Sequence, residues 1–153
     1  MRLIPAIVLT LSIGAPAMAT GDSASETPAQ RGYRWLTTKA YLPPDFDGET
    51  FDSVWQVWPE PLRRQAEAAS PEERRRMAFG RYGLTPRPDD SEKPLQYVVG
   101  DDGQWTMNCF SCHGGEVAGR IVPGLPNSRF ALQTLTEETR AFKLQAGKPL
   151  SRM

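Results

Sequence analysis

The 153-residue chain contains two cysteines and one histidine, and its 18 Lys and Arg are balanced by 18 Asp and Glu, leaving no net charge. Zero net charge provides no field for gathering phosphates or anionic lipid, so nucleic-acid binding is excluded as a leading reading. A zinc site normally needs four protein ligands, and two Cys and one His cannot supply them. Long hydrophobic runs are also lacking. The only sustained apolar stretch is Leu3 to Ile13, which is too short for a bilayer core of ~30 Å and is interrupted by Pro5, with Gly14 and Pro16 just beyond it. No transmembrane segment is expected.

That stretch follows Met1-Arg2 and ends at Ala17-Met18-Ala19, whose small residues occupy the two positions a signal peptidase reads. Residues 1–19 therefore read as a secretory signal peptide, and the mature chain as an exported, periplasmic protein. Residues 20–32 are dominated by Ser, Thr, Ala, Pro and Glu with almost no large apolar anchor, and they read as a disordered leader.

Residues 33–94 read as an extension of short helices and loops. Phe51, Val54, Trp55 and Trp58 recur at helical spacing and predict an amphipathic helix over 47–58, its aromatics forming core. A second helix is expected over 60–68. Ser70-Pro71-Glu72-Glu73 combines an N-cap serine, a proline at the first helical position and a glutamate three residues on, predicting a helix that stops at Gly80 or Gly83. Its Arg74-Arg75-Arg76 reads as a solvated face. Residues 95–107 have the form strand, turn, strand, and a last helix with Phe130, Leu132, Leu135 and Phe142 on one stripe ends near Gly147. Between them, 114–126 reads as a tight Gly- and Pro-bearing loop. Residues 95–153 form the candidate functional region.

Both cysteines and the histidine fall within five consecutive residues, Cys109-Phe110-Ser111-Cys112-His113. In one helical turn Cys109 and Cys112 leave nearly the same face, with His113 beside them. Two thiols at this spacing can add to the two vinyl groups on one edge of a porphyrin, and the following imidazole can bind iron. This is the C-x-x-C-H attachment of c-type haem, with Phe110 and Ser111 facing away and free to vary. A Cys109–Cys112 disulfide would close too short a loop to stabilise the fold. The competing chemistry is a dithiol oxidoreductase, but Gly114-Gly115 follows at once and no parallel-strand pattern flanks the motif.

At these residues the chain resembles the c-type cytochromes. The resemblance implies a mainly α, cytochrome c-like haem domain, here with a loop-rich N-terminal extension of short helices and one β-hairpin. It implies one haem c per chain, held by Cys109 and Cys112, with His113 as the proximal axial ligand of the iron. Pro123 is the carrier of the carbonyl that would accept from His113, and Arg120 and Arg129 are candidates for the haem propionates. Residues 108–153 are similar to the first haem region of larger bacterial proteins of the di-haem peroxidase group. One-electron transfer is the implied function, with a peroxidase- or oxygenase-like haem enzyme as the alternative. No second histidine exists, and the mature methionines are Met77, Met107 and Met153, so an open or water-bound sixth position is expected. Only residues 114–153 follow the motif. The sequence therefore predicts that either the N-terminal segment, a redox partner protein or a further C-terminal haem domain completes the pocket.

Overall fold

The structure is a computed structural model that describes residues 25–150. The expected signal peptide, the start of the leader and Met153 lie outside the described residues.

Two helices begin with the same local device. Ser70 accepts from the Glu73 amide at 3.2 Å while the Glu73 carboxylate accepts from the Ser70 amide at 3.0 Å, and Pro71 opens α4, Pro71–Tyr82. Thr27 and Gln30 make the same reciprocal pair before Pro28, which opens α1, Pro28–Thr38. Helix α1 thus starts inside the span expected to be a leader. Its capping box supplies the local signal, and its anchors are Thr37, which is buried, and Tyr33, whose ring lies 5.8 Å from Phe110.

The helix expected over 47–58 divides. Asp47 caps α2, Gly48–Ser53, by accepting from the Thr50 amide at 2.7 Å, and a single 3-10 turn, Val54–Val57, follows. Phe51, Val54 and Trp58 are buried as expected, and Trp55 packs partly buried against them. Helix α3 covers Leu62–Ala68, and α6 covers Leu132–Gln145. Within the arginine run, Arg75 departs from a solvated face: it pairs with Asp52 at 2.6 Å and lies 5.4 Å over the Trp105 ring.

Strands β1, Phe46–Asp47, β2, Tyr97–Val99, and β3, Gln104–Met107, form an antiparallel sheet in the order β1-β3-β2. Phe46 and Val99 stand opposite Trp105, and Tyr97 opposite Met107. That face meets α2, the 3-10 turn, α4 and α6 in an aromatic core where Phe51 stacks on Trp105 at 4.5 Å. Trp58 Nε1 donates to the Tyr82 hydroxyl at 2.8 Å, and that hydroxyl donates to Glu138 at 2.7 Å. Glu138 also pairs with Arg81. The buried polar atoms of this cluster are therefore satisfied.

The expectation of a mainly α, cytochrome c-like fold is corrected. The described residues are 46% helical and 15% strand, with two small antiparallel sheets. The second sheet, β4, Gly114–Val117, paired with β5, Arg120–Pro123, occupies the segment expected to be a loop. Two glycines and an exposed outer half remove the alternation by which a strand is recognised. The turn itself is legible only in the backbone: Ala118 at φ 49° and Gly119 at φ 75° are both left-handed, as a two-residue hairpin turn requires. An alanine there carries a steric cost of roughly 1 kcal/mol that asparagine tolerates better. Ala118→Asn is expected to stabilise the protein by about 0.5–1 kcal/mol, read as a rise in the urea midpoint at unchanged slope.

Candidate functional site

Strand β3 delivers the chain to the motif through Asn108, a positioning residue that the motif reading overlooked. Its amide donates to the Gln96 carbonyl at 3.0 Å, its Nδ2 donates to the Leu95 carbonyl at 2.9 Å, and its Oδ1 accepts from the Phe110 amide at 2.9 Å. An asparagine two residues before a one-turn helix, its side chain accepting from the Phe110 amide, is the available sequence signal.

Helix α5, Phe110–His113, is one turn long and closes with the His113 amide on the Cys109 carbonyl at 3.0 Å. Phe110 is 3% exposed, and Ser111 is 2% exposed with its Oγ donating to the Gln96 carbonyl at 2.8 Å. Cys109, Cys112 and His113 are all exposed, and both cysteines are free. The turn therefore divides into two sides: its intervening residues anchor the motif to the sheet, and its three reactive side chains face outward. Phe110 and Ser111 do face away from the reactive groups, but they are fixed by packing and hydrogen bonding rather than free to vary.

The far side of the turn is equally constrained. The Gly124 amide donates to the His113 carbonyl at 2.8 Å and the Asn127 amide to the Cys112 carbonyl at 2.9 Å, satisfying carbonyls that a helix end leaves open. A Cβ on Gly114 would sit 2.6 Å from the Phe110 carbonyl oxygen, and one on Gly115 would strike the Pro126 carbonyl. Only glycine allows β4 to leave α5 so closely.

The remaining expected residues lie on or beside the hairpin. Pro123 pairs with Gly114, next to His113 in the chain. Arg120 pairs with Val117 at the turn end and is exposed, whereas Arg129 is engaged with Glu116 at 2.9 Å. Residues opposite one another in an antiparallel pair share a face, and so do alternate residues along a strand. By that rule Val117, Arg120 and Val122 share one face, and both valines are exposed. Met77 and Met107 pack against the aromatic core. Trp58 and Tyr97 are buried in the same core, and His113 is left exposed.

Tyr33 buttresses the turn through Phe110, and its hydroxyl donates to Asp89 at 3.0 Å. Burial, with the Asp89 carboxylate adding to it, pushes the phenol up to about 12. The unfolded phenol titrates near 10, so this contribution to stability is complete below about pH 10 and is lost as pH rises toward about 12. Titration at the tyrosinate absorbance is expected to show α1 loosening across that window, with Tyr33→Phe removing the step.

Among the described residues no three His, Cys, Asp or Glu side chains converge as a metal-binding group, and no described helix is long and apolar enough to cross a membrane. The site is therefore a solvent-facing pair of free thiols and an imidazole, held rigidly from behind and flanked by a hairpin with exposed valines and an arginine. Comparison with protein-family models, with curated proteins and with solved structures finds no match to this chain.

Proposed function

We propose that this chain is an exported, periplasmic c-type haem protein that transfers single electrons. Cys109 and Cys112 would hold the haem through thioether bonds, and His113 would be its axial ligand. The observation that carries this reading is the two-sided turn: Cys109, Cys112 and His113 are exposed together while Phe110 and Ser111 are buried between them. Thioether formation needs both thiols accessible on one side and held in place, which this arrangement supplies.

The residues present fit the group in two further respects. Val117 and Val122 offer exposed apolar surface on the hairpin that follows the motif, suited to an apolar macrocycle, and Arg120 on the same face offers a cation to its carboxylates. Arg129 is less suited, because Glu116 already engages it. When bound, the haem would supply a reversible one-electron iron couple. The protein's part would be to fix the thiols, hold the His113 backbone through the Gly124 amide, and shield part of the ring.

A second reading, a haem enzyme with an open sixth position, is favoured by the methionines. Met77 and Met107 are both engaged with the core, and the chain has no second histidine. Protein matured in a periplasm that attaches c-type haem is expected to keep a haem-stained band after denaturing electrophoresis, and ready binding of carbon monoxide by the reduced protein would favour the enzyme. Resistance to carbon monoxide would favour the electron carrier over the enzyme. A colourless protein whose two thiols cycle with a disulfide would replace both with a dithiol oxidoreductase.

A further inference from the structure

Helix α6 packs chiefly on α2, the 3-10 turn and α4, and it leaves a gap toward the three-stranded sheet. Between them lies a hollow of about 320 Å³, within the usual size range for small-molecule sites. Phe46, Tyr97, Met107 and Leu132 give it apolar walls, and Leu132 is 39% exposed at its side. A second hollow of about 330 Å³ adjoins it and shares Asp45, Phe46 and Lys143.

The charged groups on this lining are unequal in engagement. Lys143 is 8% exposed and donates to the Asp45 carbonyl at 2.8 Å, and the Asp45 carboxylate accepts from the Met107 amide at 3.1 Å. Arg140, one helical turn before Leu144 and three residues before Lys143, lines the hollow, is exposed, and makes no hydrogen bond or ion pair to any described residue. Lys143 already faces the Asp47 and Asp45 carboxylates, which leaves Arg140 as the lining cation with no ion pair among the described residues, at the mouth of an apolar hollow. Burial opposes ionisation of both inner groups, holding the Lys143 amine below and the Asp45 carboxyl above its ordinary value.

We propose that this hollow binds a small amphiphilic carboxylic acid, its carboxylate on Arg140 and its apolar body against Phe46, Tyr97, Met107 and Leu132. A compact anionic head with an apolar tail matches both the unpaired cation and the walls, and the planar guanidinium favours a carboxylate through paired N–H donors. The site is separate from Cys109, Cys112 and His113, so it stands whether or not those residues carry haem.

Isothermal titration of the full chain with decanoate, decan-1-ol and decyltrimethylammonium tests this directly. Decanoate is expected to saturate a single site, with the alcohol at least tenfold weaker and the cation weaker still. Arg140→Ala is expected to lower decanoate affinity about tenfold, where a factor of ten is about 1.4 kcal/mol, and to leave the alcohol unchanged. Thr136→Trp, which fills the hollow from α6, is expected to abolish binding of all three while circular dichroism confirms an intact helix. No saturable binding of decanoate below millimolar concentration would overturn the proposal. Equal affinity for the three head groups, or indifference to Thr136→Trp, would do the same. Binding that emerges only when residues 151–153 are deleted would also reject it, and would assign the hollow to the chain's own tail.

Discussion

The double variant Cys109→Ala, Cys112→Ala is expected to fold normally and to carry no covalent haem. Both side chains are exposed and neither makes a disulfide, so their removal creates no cavity and leaves the buried anchors Phe110 and Ser111 in place. Substitutions at such positions ordinarily change stability by no more than about 0.5 kcal/mol. Loss of the haem-stained band would therefore report lost chemistry rather than lost structure. Comparing hosts makes the test sharper. In a host without haem-attachment machinery, wild type and double variant are expected to melt together within about 1–2 °C, a shift set by the small ΔΔG. In a host with it, wild type should melt higher, because a group held by the native state alone stabilises that state, and covering ring surface contributes about 25 cal/mol per Å². His113→Ala in the second host should keep the covalent colour but shift the absorption bands, separating attachment from iron ligation. A double variant that remains coloured after denaturation would overturn the assignment of both cysteines. A wild type that melts differently with and without a reducing thiol, yet never acquires colour, would point to dithiol chemistry.

The legible parts of this fold were those carried by short-range signals. The capping box at Ser70 and Glu73 and the turn between β2 and β3 each depend on a few adjacent residues, and the structure places them where the sequence predicts; of the two glycines offered as the stop of α4, Gly80 lies inside the helix and Gly83 ends it in the left-handed region. The motif's two-sidedness was half legible. Spacing indicates that Cys109 and Cys112 share a side, but Ser111 is held by Gln96 and Phe110 packs against Tyr33, which are 15 and 77 residues away in the chain. Strand β1 is two residues long and its Phe46 pairs across 59 positions with Trp105, so no local pattern could reveal it. The hairpin after His113 was hidden for a different reason: Gly114 and Gly115 read as loop formers, although they are there because α5 and the 125–126 backbone come too near for any side chain. Class assignment failed for a further reason. The mainly α class was implied by the resemblance at residues 109–113, which carries no information about the core, whereas Phe46, Tyr97 and Trp105 place one wall of that core on a sheet.

Gly83→Ala is expected to be the most damaging single substitution for stability, and the cause lies in two independent constraints at one position. Gly83 ends α4 at φ 63°, ψ 31°, in the left-handed region, where a Cβ costs roughly 1 kcal/mol on conformational grounds. A Cβ there would also fall on the Arg129 carbonyl oxygen and lie 3.2 Å from the Phe130 amide nitrogen, atoms of backbone that cannot rotate away. That backbone is held on both sides. The Arg129 amide donates to Asn127 at 3.1 Å, and the Ala131 amide donates to the Tyr82 carbonyl at 2.9 Å. Relief would require α4 and the start of α6 to separate, which would loosen the Arg81–Glu138 pair and the Tyr82 to Glu138 hydrogen bond in the buried Trp58 network. Strain combined with disruption of such a network belongs to the severe class, about 4 kcal/mol or more, equivalent to a fall of roughly 10 °C or more in Tm for a domain of this size. The measurement is thermal unfolding followed by near-ultraviolet circular dichroism, which reports the packing of Trp58 and Tyr82. Gly80→Ala is the control, because it lies in the same helix with nothing within 4 Å of an added Cβ, and alanine is the better helix former. It is expected to raise stability by up to about 1 kcal/mol. Equal effects from the two substitutions would show that helix propensity, and not the close approach of Gly83 to the 129–130 backbone, governs this junction.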